Sequence, residues 1–343
     1  MKTNKDILRV GIAGFGMVGE RRYRVLEDHT AFTVEGISEI DKSKRPKNPD
    51  ILVFDKYQDL LNLPLDVLFV CLPNYLAAEV TIAGLHRGLH VFCEKPPGRT
   101  VKDIREVRKI EQQSVDQKLK YGFNHRYHDS VRDALEIINS GDLGSIINLR
   151  GIYGKGGFFG AAGPDWRTDK HKAGGGILLD QGIHLVDLMR LFAGEFVEVK
   201  SFVENSFWNT QVEDNAYAIL RTQDGKVAIL HSSATQWQHK FELEISLEGG
   251  AIILSGILSG SKSYGEEQIT ILRKTSERGV LSNKTTKYLE DHSWVREIND
   301  FATHILDNKT VAEGNSRDAL CSMELVQAIY SGDENWGKWL DKL

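Results

Sequence analysis

Short apolar runs alternate with amphipathic stretches through the first third of the chain. Leu8 to Ala13, Phe32 to Ser38, Ile51 to Phe54, Asp66 to Leu72, Val91 to Cys93 and Leu119 to Phe123 read as strands. The Asp66–Leu72 run is continuously apolar, which fits a parallel sheet buried on both faces. Between the strands, helical patterns cover Val18 to about Glu27, Ala77 to Arg87 and a charged stretch up to about Ser114. Gly88 follows the second as a C′ residue, and Thr100 stands as an N-cap before the third. This alternation predicts a doubly wound parallel sheet.

The pattern changes after Gly122. A helix is expected from Ser130 to Asn139, a strand from Ile146 to Tyr153 and a helix from Leu178 to Phe192. Five further strands at short spacing then run from Val197 to Leu254, and Gln268 to Leu272 adds a sixth. These read as a mostly antiparallel sheet. Two helices, Trp294 to Leu306 and Ser316 to Tyr330, close the chain. The expectation is therefore an α/β protein of two domains. Residues 1–123 would form a Rossmann dinucleotide-binding domain. Residues 124–343 would bind substrate and oligomerise, and the C-terminal helix can pack back on the first domain.

Composition narrows the class. The chain has 343 residues, enough for two domains, with 41% hydrophobic and 27% charged residues and a net charge of −5. No block of like charge argues for nucleic acid or an anionic membrane as partner. The three cysteines, Cys71, Cys93 and Cys321, lack paired spacing, which predicts a reducing compartment, taken as the cytosol. The start leads directly into a strand, so no leader segment is expected.

Chemistry enters at the turns. Gly14-Phe15-Gly16-Met17-Val18-Gly19 stands between a strand and a helix, the context that a dinucleotide fingerprint needs. Glu39 lies 20 residues after Gly19, where a carboxylate reaches the adenine-ribose hydroxyls and repels a 2′-phosphate. NAD is thus expected over NADP, although Lys42, Lys44 and Arg45 nearby could serve a phosphate. Leu72-Pro73-Asn74 and Glu94-Lys95-Pro96 end strands at the same carboxyl edge, where ligands bind in open α/β sheets. Pro96 and Pro97 stop the strand, so Lys95 is held at its mouth.

In the second half, Gly174-Gly175-Gly176 precedes Asp180 and His184, which share one helix face. A lone helical histidine is more often structural than catalytic. The glycine-rich entry and the carboxylate spacing make His184 a candidate proton shuttle, and the family resemblance given below adds to them in reversing that prior. Arg126, Tyr127, Lys155, Trp166 and Arg167 are candidates for a substrate wall of cations and aromatic faces. His125-x-x-His128 has no third ligand at sensible spacing, so no metal is expected.

Together, Gly14-x-Gly16-x-x-Gly19, Pro73-Asn74, Glu94-Lys95-Pro96 and Gly174-Gly175-Gly176-x-x-x-Asp180-x-Gly182-x-His184-x-x-Asp187 resemble the Gfo/Idh/MocA family. That family takes its name from glucose–fructose oxidoreductase, inositol 2-dehydrogenase and rhizopine catabolism. The resemblance covers nearly the whole chain. It implies a tightly held nicotinamide cofactor and hydride transfer at a sugar or cyclitol carbon, flanked by Lys95 and His184. His184 would be the acid/base, Lys95 would polarise the hydroxyl or act as the base, and Asp180 would orient either. The resemblance also implies dimers or tetramers built through the C-terminal sheet. Many members carry a histidine shortly after Pro-Asn, where this chain has Ala77-Ala78; that touches only a contact near the cofactor. The segment from Gly154 to Arg167 is similar to that of members acting on activated sugars, which raises a nucleotide-linked sugar as substrate beside free sugar or inositol. A cofactor-sensing regulator without turnover is the reading from another class, but it need not retain Lys95 and His184.

Overall fold

The computed structural model describes residues 7–114, 116–157, 165–259, 263–275 and 281–340. They form two compact units. In the first, β1 (Leu8–Ala13), β2 (Phe32–Ser38), β3 (Leu52–Phe54), β4 (Val67–Val70), β5 (His90–Cys93) and β6 (Leu119–Tyr121) make a fully parallel sheet. Its order, β3-β2-β1-β4-β5-β6, reverses between β1 and β4, and that crevice is where such sheets take ligands. Helices α1 (Met17–Glu27), α2 (Tyr57–Leu60), α3 (Asn74–His86) and α4 (Val101–Glu111) connect the strands. The Thr100 hydroxyl accepts from the Asp103 amide, and Asp103 returns to the Thr100 amide as a reciprocal cap. Gly88 follows α3 with a φ of 75°. The segment Trp294–Leu320 belongs to this unit. It supplies Ile298, Phe301 and Ala302 to a core with Phe69 and Phe92, whose rings stack at 4.9 Å.

The second unit holds Asn124–Ser293 and the chain from Cys321. Its sheet contains β7 (Ile146–Gly156), β8 (Phe196–Glu204), β9 (Asn215–Thr222), β10 (Val227–Ser233), β11 (Thr235–Leu247), β12 (Gly250–Ser255), β13 (Glu267–Lys274) and β14 (Leu281–Tyr288). The order is β14-β13-β12-β11-β7-β10-β9-β8, and only the β7–β10 pair is parallel. Helices α5 (Asp129–Ser140), the short α6 (Lys170–Ala173) and α7 (Ile183–Ala193) lie in this unit. Gly151 of β7 has no side chain because Leu185 and Met189 of α7 occupy that space. The remaining helices are α8 (Ser293–Leu306), α9 (Ser316–Ser331) and α10 (Glu334–Leu340). Among the described residues, no helix is long and apolar enough to cross a membrane.

The expected helix from Leu178 begins differently. Residues Leu178–Gly182 form one π-helical turn, and α7 continues from Ile183. Single π turns of this kind are frequent at functional sites. Part of the expected glycine-rich loop after Gly157, residues 158–164, lies outside the described residues.

Candidate active site

On the first unit, the glycine loop is shaped by close approaches. Gly14 adopts a φ of 92°, and a Cβ there would run into the Cys71 carbonyl. A Cβ on Gly19 would strike the Gly14 carbonyl, so α1 can sit against the turn only as glycine. Gly16 differs: its φ is −70° and a Cβ would meet nothing within 4 Å. That open space above the N-terminus of α1, whose first amides have no side-chain cap, fits a pyrophosphate. We expect Gly16→Val to fold normally and to weaken NAD binding at least tenfold, measured by fluorescence titration. Unchanged affinity would show that phosphate binds elsewhere.

Glu39 ends β2 and reaches back to this loop. Its Oε2 accepts the Phe15 amide at 2.8 Å and its Oε1 accepts the Asp41 amide at 2.8 Å. A carboxylate has roughly four acceptor positions, so two remain for ribose hydroxyls. Two of the three neighbouring cations, Lys44 and Arg45, are committed. Arg45 donates to the Glu39 carbonyl and pairs with Asp55, and Lys44 lies 3.0 Å from Asp41. Leu72 lines Gly14, Pro73 caps α3, and Asn74 is buried at its first turn. Lys95 is half-buried at the end of β5, and its bond to Pro96 is cis.

Glu94, expected near the cofactor, sends its side chain inward. It accepts from Arg22 at 2.6 Å, and Arg22 also donates to Glu297 at 2.6 Å. The fully buried guanidinium lies between the rings of Phe92 and Trp294, 4.4 and 4.2 Å from their centroids. Glu94 therefore anchors the turn that carries Lys95 through its Oε1.

On the second unit, the entry to the π turn is held by Glu213. Its carboxylate accepts the Gly176 amide at 2.6 Å, the Leu178 amide at 2.9 Å and the Tyr330 hydroxyl at 2.7 Å. Burial pushes Glu213 up to about 7, against the pull of these donors. A Cβ on Gly176 would collide with the Glu213 carbonyl, which explains glycine there. Asp180 follows from this turn. Lys155 Nζ is 3.4 Å from its Oδ2 and Arg167 Nε 3.9 Å from its Oδ1. Arg167 also sits over Trp166 at 4.5 Å and 3.5 Å from Asp165. Lys155, Arg167, Trp166 and Asp180 are thus gathered in one cluster.

Two expected wall residues are placed otherwise. Arg126 is buried, and its Nε and Nη2 bind Asp187 at 2.7 and 2.6 Å. Its fork already holds a carboxylate and does not present itself to substrate. Tyr127 is buried beneath Arg132. The sequence reading missed aromatic neighbours of this site. His184 is buried and stacks on His125 with ring centroids 3.7 Å apart and planes 13° apart. His125 meets the Tyr153 hydroxyl at 3.1 Å, and Tyr153 packs against Tyr264 at 5.2 Å. Tyr264 accepts from Gln181 at 2.8 Å, next to Asp180. Only Asn124-His125 beside the polar segment hinted at this; the tyrosines carry no local signal.

Comparison with known proteins bears on the family and the fold. Residues 8–123 match the model of an oxidoreductase family with an NAD-binding Rossmann fold, and residues 131–253 match a GFO/IDH/MocA C-terminal domain. The D-glucoside 3-dehydrogenase of Escherichia coli K12 is 26% identical and aligns over 95% of each chain. The inositol 2-dehydrogenase of Salmonella typhimurium LT2 is 25% identical over 71% of each. Among solved structures, a levoglucosan dehydrogenase in complex with NADH superposes with a TM-score of 0.83 at 20% identity, covering 96% of this chain and 97% of the other.

Proposed function

From the premise that this chain belongs to the GFO/IDH/MocA family of NAD-binding oxidoreductases, we propose that it oxidises a secondary alcohol of a sugar or sugar glycoside, or reduces the corresponding ketone. NAD, when bound, supplies the hydride acceptor. The chain supplies the rest. The α1 N-terminus and the open space at Gly16 receive phosphate, and Glu39 takes ribose hydroxyls. Lys95 polarises the reacting hydroxyl, and His184 holds or releases its proton. Asp180 keeps Lys155 and Arg167 in place for the sugar's other hydroxyls. Named relatives acting on a glucoside and on inositol support this substrate class.

The observation that carries the reading is the Asp180 cluster. Its two cations face a carboxylate, so they suit hydroxyl groups better than a diphosphate. This favours an uncharged sugar over a nucleotide-linked one. The test is reduced-cofactor absorbance with an alkyl glucoside, levoglucosan, myo-inositol and a nucleotide-linked glucose, each with NAD and NADP. The expected result is turnover on an uncharged sugar, with NAD preferred because Glu39 opposes a 2′-phosphate. Turnover confined to the nucleotide sugar would overturn the substrate reading, a clear NADP preference would overturn the Glu39 assignment, and no turnover on any would revive the cofactor-sensing regulator.

Self-association is part of the proposal. Phe202 is 72% exposed and Ile219 54% exposed on β8 and β9, in register with Tyr217 and Ile229. Apolar groups in a row on an open sheet face fit a second copy of this chain. Sedimentation should show a dimer or tetramer, and Ile219→Lys should shift it towards monomer; a monomeric parent protein would refute the interface.

A further inference from the structure

The stacked pair of imidazoles is the least expected feature of the second unit, and its hydrogen bonds can be read in one direction. An ionised carboxylate only accepts. At Asp291, Oδ1 therefore receives the Ser293 hydroxyl proton at 2.6 Å. With that proton committed, Ser293 Oγ receives the Asn124 Nδ2–H at 3.0 Å. The amide oxygen of Asn124 is then left facing His125 Nδ1 at 3.2 Å, so Nδ1 must carry a proton. The far nitrogen, Nε2, lies 3.1 Å from the Tyr153 hydroxyl. Burial raises Tyr153 well above its ordinary value, so it keeps its proton to donate. Asn124, His125, Tyr153 and Ser293 are all buried, and water offers little competition along this chain.

We propose that His125 is a positioning residue: a neutral imidazole, locked as the Nδ1–H tautomer by the Tyr153–His125–Asn124–Ser293–Asp291 chain, whose flat face sets the plane of His184 and stabilises the positive charge that His184 carries after taking a proton. Two imidazolium rings 3.7 Å apart would repel, so a proton taken by His184 requires a neutral partner. The π face of a neutral ring attracts a cation instead. Other titratable groups surround the stack. His128 meets His125 edge-on at 5.3 Å, with its Nδ1 2.7 Å from Glu267. Tyr264 lies beyond Tyr153, and Asp180 lies one turn before His184.

The inference rests on the acid/base reading of His184, and its test separates the two. Nitrogen-15 NMR of the histidine rings, on the protein without sugar, should show His125 with a protonated Nδ1 and a bare Nε2 throughout about pH 6 to 8, the range where histidines ordinarily titrate. A His125 ring that titrates in this range, or carries its proton on Nε2, would overturn the lock. His125→Gln keeps polar groups but removes the ring, and should lower kcat by about 10- to 100-fold through misplacement of His184, with KM within about threefold and NAD affinity unchanged. His125→Phe, which restores a flat face, should recover several-fold of that loss. Unchanged kcat in His125→Gln would overturn the positioning role. A His184→Ala enzyme that still turns over would refute the acid/base reading instead, leaving the tautomer measurement of His125 intact.

Discussion

Turnover of His184→Ala should fall by about 100- to 10,000-fold, roughly 3 to 5 kcal/mol of barrier, because a positioned proton-transfer group contributes that much. NAD affinity should stay within a few-fold, since the phosphate and ribose contacts proposed above involve the glycine loop and Glu39 and neither His184 nor Lys95. Lys95→Ala should behave alike, because Lys95 follows β5 and the glycine loop after β1 forms without it. If both serve one proton transfer, the double variant will be little worse than the poorer single one, as groups acting as a unit are non-additive. Asp180→Asn keeps the shape of the cluster and removes its charge, so a smaller loss is expected. The measurement is steady-state kinetics beside cofactor titration and thermal unfolding. A folded His184→Ala enzyme with near-normal kcat would make His184 a packing residue.

Removing the buried Arg22 of the first unit should cost much stability. Arg22→Met keeps volume between Phe92 and Trp294 but leaves Glu94 and Glu297 buried without their partner. Breaking such a pair costs about 3 to 5 kcal/mol. The midpoint of urea unfolding should drop accordingly. For Arg22 itself, burial alone would lower the pKa; the two carboxylates outweigh this and raise it, so the cation persists at any working pH. Burial pushes Glu297 up to about 7, with the Arg22 charge opposing. The sign follows from a raised carboxyl pKa. The stability that its neutral form contributes is complete below the unfolded value near 4.5 and is lost as pH rises through about 7. Without the opposing Arg22 charge Glu297 is pushed up further, so the cost of Arg22→Met should grow from pH 5 to pH 8. Equal stability of the variant and the parent at pH 8 would refute the role given to Arg22.

Local chemistry was legible from the residues. The apolar runs gave all six strands of the first sheet to within a residue or two at their ends, since β periodicity and chain-reversing residues act between neighbours. Gly14, Gly19 and Thr100 were legible because a tight turn, a close approach and a cap each need one residue type at one position. The glycine loop and Glu39 meet across only 24 residues, within one βαβ unit whose geometry is standard.

Long-range partners were not legible. Nothing near Glu94 announces Arg22, 72 positions earlier, or Glu297, far later on α8. Nothing near Arg126 announces Asp187, 61 positions on, and the arginine read as substrate wall became an internal ion pair. The His125–His184 stack, and the Glu213 carboxylate that holds the entry to the π turn, depend on which distant segments the fold brings together. The sequence alone determined most element types, the glycine turn and the residue types able to move a proton, because those rest on periods and contacts of a few residues; β14, α10 and the π turn were not among them. The tertiary structure decided which charges are spent on one another and which remain for a ligand. Desolvation is the reason: a buried charge must find its partner wherever the fold places one, and sequence distance does not enter that cost.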